Sequence, residues 1–156
     1  MKLPEFPVEG GCQCGAVRFQ ITAGPMGVYN CHCKDCQRFS GGTHTISIIV
    51  KREDVTVLRG DLHPFDKAAD SGRTVRMIGC VKCGTKVWNE PLSYGALMVM
   101  KAGTLDDMSW AEPIGNIWTA SRAPWVDIDN NGPNFPGQPP DRQPLFDAWA
   151  RAVAAG

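Results

Sequence analysis

RTVRMIGCVKCGTKVWNE (73–90) is the stretch that decides the fold. RTVRMIG (73–79) runs into Cys80 and Cys83, TKVWNE (85–90) runs out of them, and Gly84 follows the second cysteine, where a tight reversal often requires a positive φ. The stretch predicts a β-hairpin with two cysteines at or near its tip. Outward from it, similar patterns recur. In GAVRFQIT (15–22), directly after the cysteines of GGCQCG, Val17, Phe19 and Ile21 alternate with Arg18, Gln20 and Thr22 at the period of a half-buried strand. THTISIIV (43–50) and VTVLRG (55–60) are β-branched runs separated by KRED, LMVMKAG (97–103) is another apolar run, and NIWTA (116–120) adds one more. Short strands punctuated by turns predict a mainly β domain of antiparallel sheets. Two segments depart from this pattern. NNGPNFPGQPPDRQP (130–144) holds five prolines and two glycines and reads as an extended surface segment, or as a lid over a site. In QPLFDAWARAVAAG (143–156), Leu145, Trp149 and Val153 recur at i, i+4 and i+8, which predicts a C-terminal amphipathic helix over about 143–155 with Trp149 in the core.

At 156 residues, 43% hydrophobic and 21% charged, the chain has the size and balance of one globular domain, expected to span 1–156. Its 16 basic and 16 acidic residues cancel, and ionised cysteines around metal would leave it mildly acidic. A polyanion such as nucleic acid finds no overall attraction there. The N-terminal stretch MKLPEFPVEGG has no apolar run suited to a signal peptide or a membrane span, so the expectation is a cytoplasmic protein without a membrane partner. Disulfides rarely persist in that compartment, and seven cysteines cannot pair completely within one chain.

The seven fall into three clusters: Cys12 and Cys14 in GGCQCG, Cys31, Cys33 and Cys36 in CHCKDC, and Cys80 and Cys83 in CVKCG. Zinc takes four tetrahedral ligands at about 2.3 Å from thiolate sulfur, and cysteines one or two residues apart reach adjacent corners through a tight turn. Seven ligands divide naturally as four plus three. A four-cysteine site is saturated and structural, whereas three protein ligands leave a position for water or substrate. Local arithmetic favours Cys31, Cys33 and Cys36 as the three, because one loop presents them all. Spacing equally allows Cys33 and Cys36 to join Cys12 and Cys14, with Cys31 completing a site with Cys80 and Cys83.

GGCQCGAVRF, CHCKDCQRFSGG and GCVKCGTKVW together resemble the glutathione-dependent formaldehyde-activating enzyme family, which includes the centromere protein V domain, over roughly residues 8–126. NIWTASRAPWV (116–126) is similar to the family's segment ending in Arg and Trp. The resemblance implies an Mss4-like fold of β-sheets with zinc knuckles. It further implies a structural zinc on Cys12, Cys14, Cys80 and Cys83 and a catalytic zinc on Cys31, Cys33 and Cys36, hence two zinc ions per chain. The implied activity is that of a carbon–sulfur lyase, condensing formaldehyde with glutathione to S-(hydroxymethyl)glutathione or running the reverse. An open zinc site suits such chemistry, because a thiol taken as fourth ligand loses its proton near neutral pH. The alternative is a non-catalytic binding module, its second metal closed by His44 or His32 and its surface recognising a protein or nucleic acid partner.

His32, between two ligands, is expected to point away from the metal, and His63 to lie on the surface. His44 is the candidate fourth ligand or base. Arg122, Arg38 and Lys101 are candidates for pairing with substrate carboxylates, Arg122 first because it lies in the family-like segment. Lys34, Lys82 and Lys86 stand beside the clusters and read as offsetting thiolate charge. Trp88, Trp110 and Trp118 are expected in the core, and Trp125 as a candidate stacking residue.

Overall fold

The computed structural model of the chain describes residues 1–69, 72–128 and 132–156, so Asn130 and Asn131 of the proline-rich segment lie outside the described residues. A smaller sheet runs in the order β1 (Val8–Gly11), β2 (Arg18–Ile21), β5 (Val55–Arg59). The larger one runs β10 (Asn116–Ile117), β3 (Gly27–Cys31), β4 (Thr45–Lys51), β9 (Leu97–Lys101), β8 (Lys86–Pro91), β7 (Thr74–Cys80), β6 (Leu62–Ala68). Helix α1 (Lys34–Ser40) follows β3, and α2 (Gln143–Ala154) closes the chain. The mainly β expectation holds, with one departure from antiparallel order. β10 lies parallel to β3, pairing Asn116 with Asn30 and Ile117 with Cys31. It reaches that edge through residues 102–115, a connection long enough to bring it in parallel.

The main core lies where the two sheets meet. Phe19 and Ile21 of β2 pack with Ile48 and Val50 of β4, Met98 and Met100 of β9 and Trp88 of β8. Phe19 and Trp88 meet edge to face, ring centroids 6.4 Å apart. The approach is close enough that a Cβ at Gly10 would stand 2.3 Å from the Thr104 carbonyl oxygen and 2.6 Å from the Phe19 ring, which explains glycine in β1. Val17, Phe19 and Ile21 are fully buried, as their alternation requires. In β4 that alternation disappears, because Ser47 through Val50 are covered on both faces. β6 is an edge strand with Pro64 inside it and Phe65 exposed.

α2 buries Leu145 and Trp149 against the sheet, each contributing roughly 1.5–3 kcal/mol of apolar burial. The described part of the proline-rich segment is more than a surface tether. Phe135 N donates to Asn116 O (2.9 Å), Thr119 N to Phe135 O (3.0 Å) and Trp118 N to Gly137 O (3.2 Å), so it runs along β10 as an added edge. Trp88 and Trp110 are buried, Trp118 is half-buried, and Trp125 is 80% exposed.

Candidate metal centres

Two knuckles bring four sulfurs together. After β1, Gly15 N donates to Cys12 O (2.9 Å) with Gly15 at φ 73°, and Val17 N donates to the Cys12 sulfur (3.2 Å). Between β7 and β8 a turn one residue longer is closed in a similar way: Gly84 N donates to Cys80 O (2.9 Å) with Gly84 at φ 72°. The knuckles face each other, and Gln13 N donates to Thr85 Oγ1 (3.2 Å). The sulfurs of Cys12, Cys14, Cys80 and Cys83 all lie within 4.8 Å of one another, with Cys12 to Cys14 at 3.4 Å and Cys14 to Cys80 at 3.9 Å. Four thiolates at tetrahedral corners about 2.3 Å from zinc would stand about 3.8 Å apart, so the donor set fits that ion. Cys83 is held down to about 5 by the Thr85 hydroxyl and by backbone amides of Thr85 and Cys14.

The other three sulfurs come from one short segment. Cys31 ends β3, Cys33 caps α1, accepting from Cys36 N (3.4 Å), and Cys36 lies in the first turn of that helix. Gly41, at φ 62°, ends the helix in the left-handed region. The three sulfurs lie within 4.8 Å of one another, Cys31 to Cys33 at 3.5 Å, and their spacing likewise fits three corners of a zinc tetrahedron. Hydrogen bonds from Cys31 and Cys33 hold the Cys36 thiol well below its usual range, with the charge of Lys101 assisting. The loop is pinned from behind. The His32 carbonyl accepts from Gln37 Nε2 (2.7 Å) and Ser121 Oγ (2.9 Å), and the buried His32 ring places Nε2 3.0 Å from Asn116 Oδ1. The cysteines thus gather as four and three, with neither histidine in either group.

The three sulfurs line a cavity of about 110 Å³. Its walls carry Lys67, Arg73, Lys86, Lys101 and Arg142, and the single carboxylate among its described lining residues, Asp35, is ion-paired with Lys67. Lys101 is only 9% exposed, with Nζ 3.4 Å from Thr45 Oγ1 and 3.5 Å from Ser47 Oγ. Lys86 rests Nζ 3.0 Å above the centre of the Phe39 ring, and burial, followed by the charge of Lys101, pushes its ammonium down to about 6. Arg142 Nη1 donates to the Tyr29 hydroxyl (3.2 Å), which burial pushes up to about 12.

A second cavity, of about 630 Å³, shares Phe39, Lys86 and Lys101 with the first and reaches the knuckle of Cys83. His44 lines this second cavity, its Nδ1 2.9 Å from Thr43 Oγ1 and its ring centroid 5.0 Å from that of His32; burial, then the neighbouring His32, lowers its pKa. Arg122 and Arg38 are exposed and line neither cavity, nor does Trp125. Lys101, of the three cations singled out, lines both. Sequence reasoning missed Lys67, Arg73 and Arg142 altogether. They converge from β6, the start of the β7 segment and the N-terminal end of α2, and no local spacing links them.

These features coincide with a known family. A family model described as "Glutathione-dependent formaldehyde-activating enzyme" matches residues 7–121, a span holding all seven cysteines. The chain belongs to that family. A relative from Halomonas elongata, named "Putative glutathione-dependent formaldehyde-activating enzyme", is 25% identical over 128 residues, covering 79% of this chain and 82% of that protein. The crystal structure of a Rhodobacter sphaeroides protein shares the fold, with a TM-score of 0.52 at 18% identity over 81% of this chain and 98% of that one. The family match ends at Ser121, before Arg142 and α2, so part of the cationic wall comes from sequence outside the matched family span. No helix among the described residues is long and apolar enough to cross a membrane.

Proposed function

We propose that the chain is a zinc-dependent carbon–sulfur lyase that interconverts glutathione plus formaldehyde with S-(hydroxymethyl)glutathione at Cys31, Cys33 and Cys36. Cys12, Cys14, Cys80 and Cys83 would hold a second, structural zinc, two ions per chain. The observation that carries the reading is the opening of the three-sulfur group onto a cavity walled by Lys67, Arg73, Lys101 and Arg142, with the one carboxylate among its described lining residues already paired. A cavity of that character suits an anionic thiol. Cys31, Cys33 and Cys36 would hold the zinc, which would supply a Lewis acid able to keep a substrate thiol ionised near neutral pH. The substrate sulfur then attacks the aldehyde carbon. A carbon–sulfur bond forms, the carbonyl electron pair moves to oxygen, and the proton released by the thiol is balanced by protonation of that oxygen. Lys101 Nζ, buried and hydrogen-bonded to the hydroxyls of Thr45 and Ser47, is the group we assign to that oxygen. Arg73 and Arg142 replace Arg122 as the proposed carboxylate anchors, because they line the cavity and Arg122 does not. His44 is given no part in bond formation. All seven cysteines are free, as a reducing compartment such as the cytoplasm would keep them.

Exchange between glutathione and its hydroxymethyl adduct can be followed by NMR with ¹³C-formaldehyde. Zinc-loaded protein should speed the exchange over buffer, and C33S should remove most of the acceleration. Exchange at the buffer rate with fully loaded protein would reject the proposal.

A further inference from the structure

Lys67, Lys86 and Lys101 all line the cavity beside the three cysteines, but their amines are held differently. Lys67 is ion-paired with Asp35, and Lys101 lies within reach of the Thr45 and Ser47 hydroxyls. Lys86 has neither an ion pair nor a hydrogen bond among the described residues. Its stem is half-buried in β8, and its Nζ rests 3.0 Å above the centre of the Phe39 ring. A ring face is a weaker partner than a carboxylate and does not replace the hydration that burial removes. The charges around Lys86 are mixed. Burial and then Lys101 of β9 oppose its ammonium, whereas Cys36 and Asp35 of α1 and Cys33 at its N-cap favour it, and the first two prevail. Lys67 and Arg73 stand in the same wall, adding positive charge, and the larger cavity that Lys86 also lines brings His44 and Cys83. A desolvated lysine beside other cations is the arrangement in which the amine loses its proton and turns nucleophilic towards carbonyl carbon. The cavity of about 110 Å³ is a few times the roughly 30 Å³ share of one water, so it suits an aldehyde of one or two carbons.

Resting on the reading that an aldehyde enters this cavity, we propose that Lys86 is a covalent capture site for small aldehydes, formaldehyde first. The lone pair on Nζ forms a bond to the aldehyde carbon, the carbonyl pair moves to oxygen, and a proton from nitrogen passes to that oxygen, giving a carbinolamine. Loss of water then gives the imine. Nothing is oxidised or reduced, and water adding back returns the free amine and the free aldehyde. Capture at Lys86 stores the aldehyde on the wall of the cavity that Cys31, Cys33 and Cys36 line, and the lyase step proposed above uses it after release.

Reduction fixes the imine. Zinc-loaded protein is treated with ¹³C-formaldehyde and cyanoborohydride, which delivers hydride to the imine carbon, and each amine that forms an imine gains a labelled methyl group that peptide mass spectrometry reads lysine by lysine. At about pH 6.5 an ordinary lysine, with a pKa of about 10.4, is neutral in only about one molecule in ten thousand. Burial brings Lys86 down to about 6, so it should be methylated about tenfold or more faster than the exposed Lys2 and Lys82. The advantage should shrink as pH rises towards about 10, where the other lysines lose their protons too. A Lys86 rate no faster than theirs at about pH 6.5 overturns the inference, and exchange catalysis intact in the same protein leaves the lyase reaction standing. Fast methylation of Lys86 in loaded protein that exchanges only at the buffer rate overturns the lyase reaction and supports the capture site.

Discussion

The two cysteine groups use the same donor atoms for opposite mechanical ends. Cys12 and Cys14 follow β1 of the smaller sheet, and Cys80 and Cys83 tip the β7–β8 hairpin of the larger sheet, so their shared ion would clip together segments 66 residues apart. Cys31, Cys33 and Cys36 fall within one loop and its helix, so their ion would close only a short local ring and face a cavity. Loop-closure entropy and the linkage of metal binding to folding place most of the stabilisation in the first group. The cavity it faces is why we propose the chemistry at the second.

The largest expected effect is on folding. A structural zinc contributes on the order of 10 kcal/mol of apparent binding free energy, so C80S should lower the melting temperature by about 10 °C or more or abolish the transition, whereas C33S should lose only a few degrees. Equal losses measured by calorimetry would break the comparison. Next comes K101M, which removes the buried ammonium assigned to the aldehyde oxygen. Exchange catalysis should fall about tenfold to a hundredfold with both metals retained by elemental analysis, and an unchanged rate would return that role to another group. R142Q should weaken glutathione several-fold by calorimetry, as loss of one charge-assisted contact does, with little effect on 2-mercaptoethanol.

The cysteine spacing made the three clusters legible and favoured a four-and-three division, but it equally allowed Cys31 to join Cys80 and Cys83, and only the folded positions of the sulfurs group them as four and three. The β2 alternation of Val17, Phe19 and Ile21 and the α2 stripe of Leu145, Trp149 and Val153 were equally readable, because each element buries one face. β4 was legible only as a β-branched run, and β6 was not legible at all, with Pro64 inside it and most of its side chains exposed. Helix α1 escaped notice because its N-cap is the sulfur of Cys33, outside the usual Ser, Thr, Asp and Asn set. The cationic wall was the least visible, since Lys67, Arg73 and Arg142 meet only through sheet order and the docking of α2.

The smallest predicted effect concerns a link near the four-sulfur group that needs no metal. Arg18 of β2 pairs with Glu9 and with Asp106, and Arg18 holds the Asp106 carboxyl below its usual range, first by hydrogen bonding and then by charge. Because the folded pKa is depressed, the contribution is present above about pH 4, the unfolded carboxylate range, and is lost as pH falls through the folded value. Both carboxylates are largely exposed, so D106N should lower the melting temperature at pH 7 by no more than a few degrees. The gap to wild type should narrow below pH 4. A gap that widens in acid would contradict the sign.

The central claim, an open three-sulfur centre that takes the substrate thiol directly, is tested most directly by cobalt. With Co2+ at Cys31, Cys33 and Cys36, glutathione should intensify the thiolate-to-metal absorption and keep the tetrahedral bands, more strongly as pH rises towards the thiol's own pKa, and S-methylglutathione should do neither. A cobalt spectrum that millimolar glutathione leaves unchanged across that pH range would contradict direct ligation.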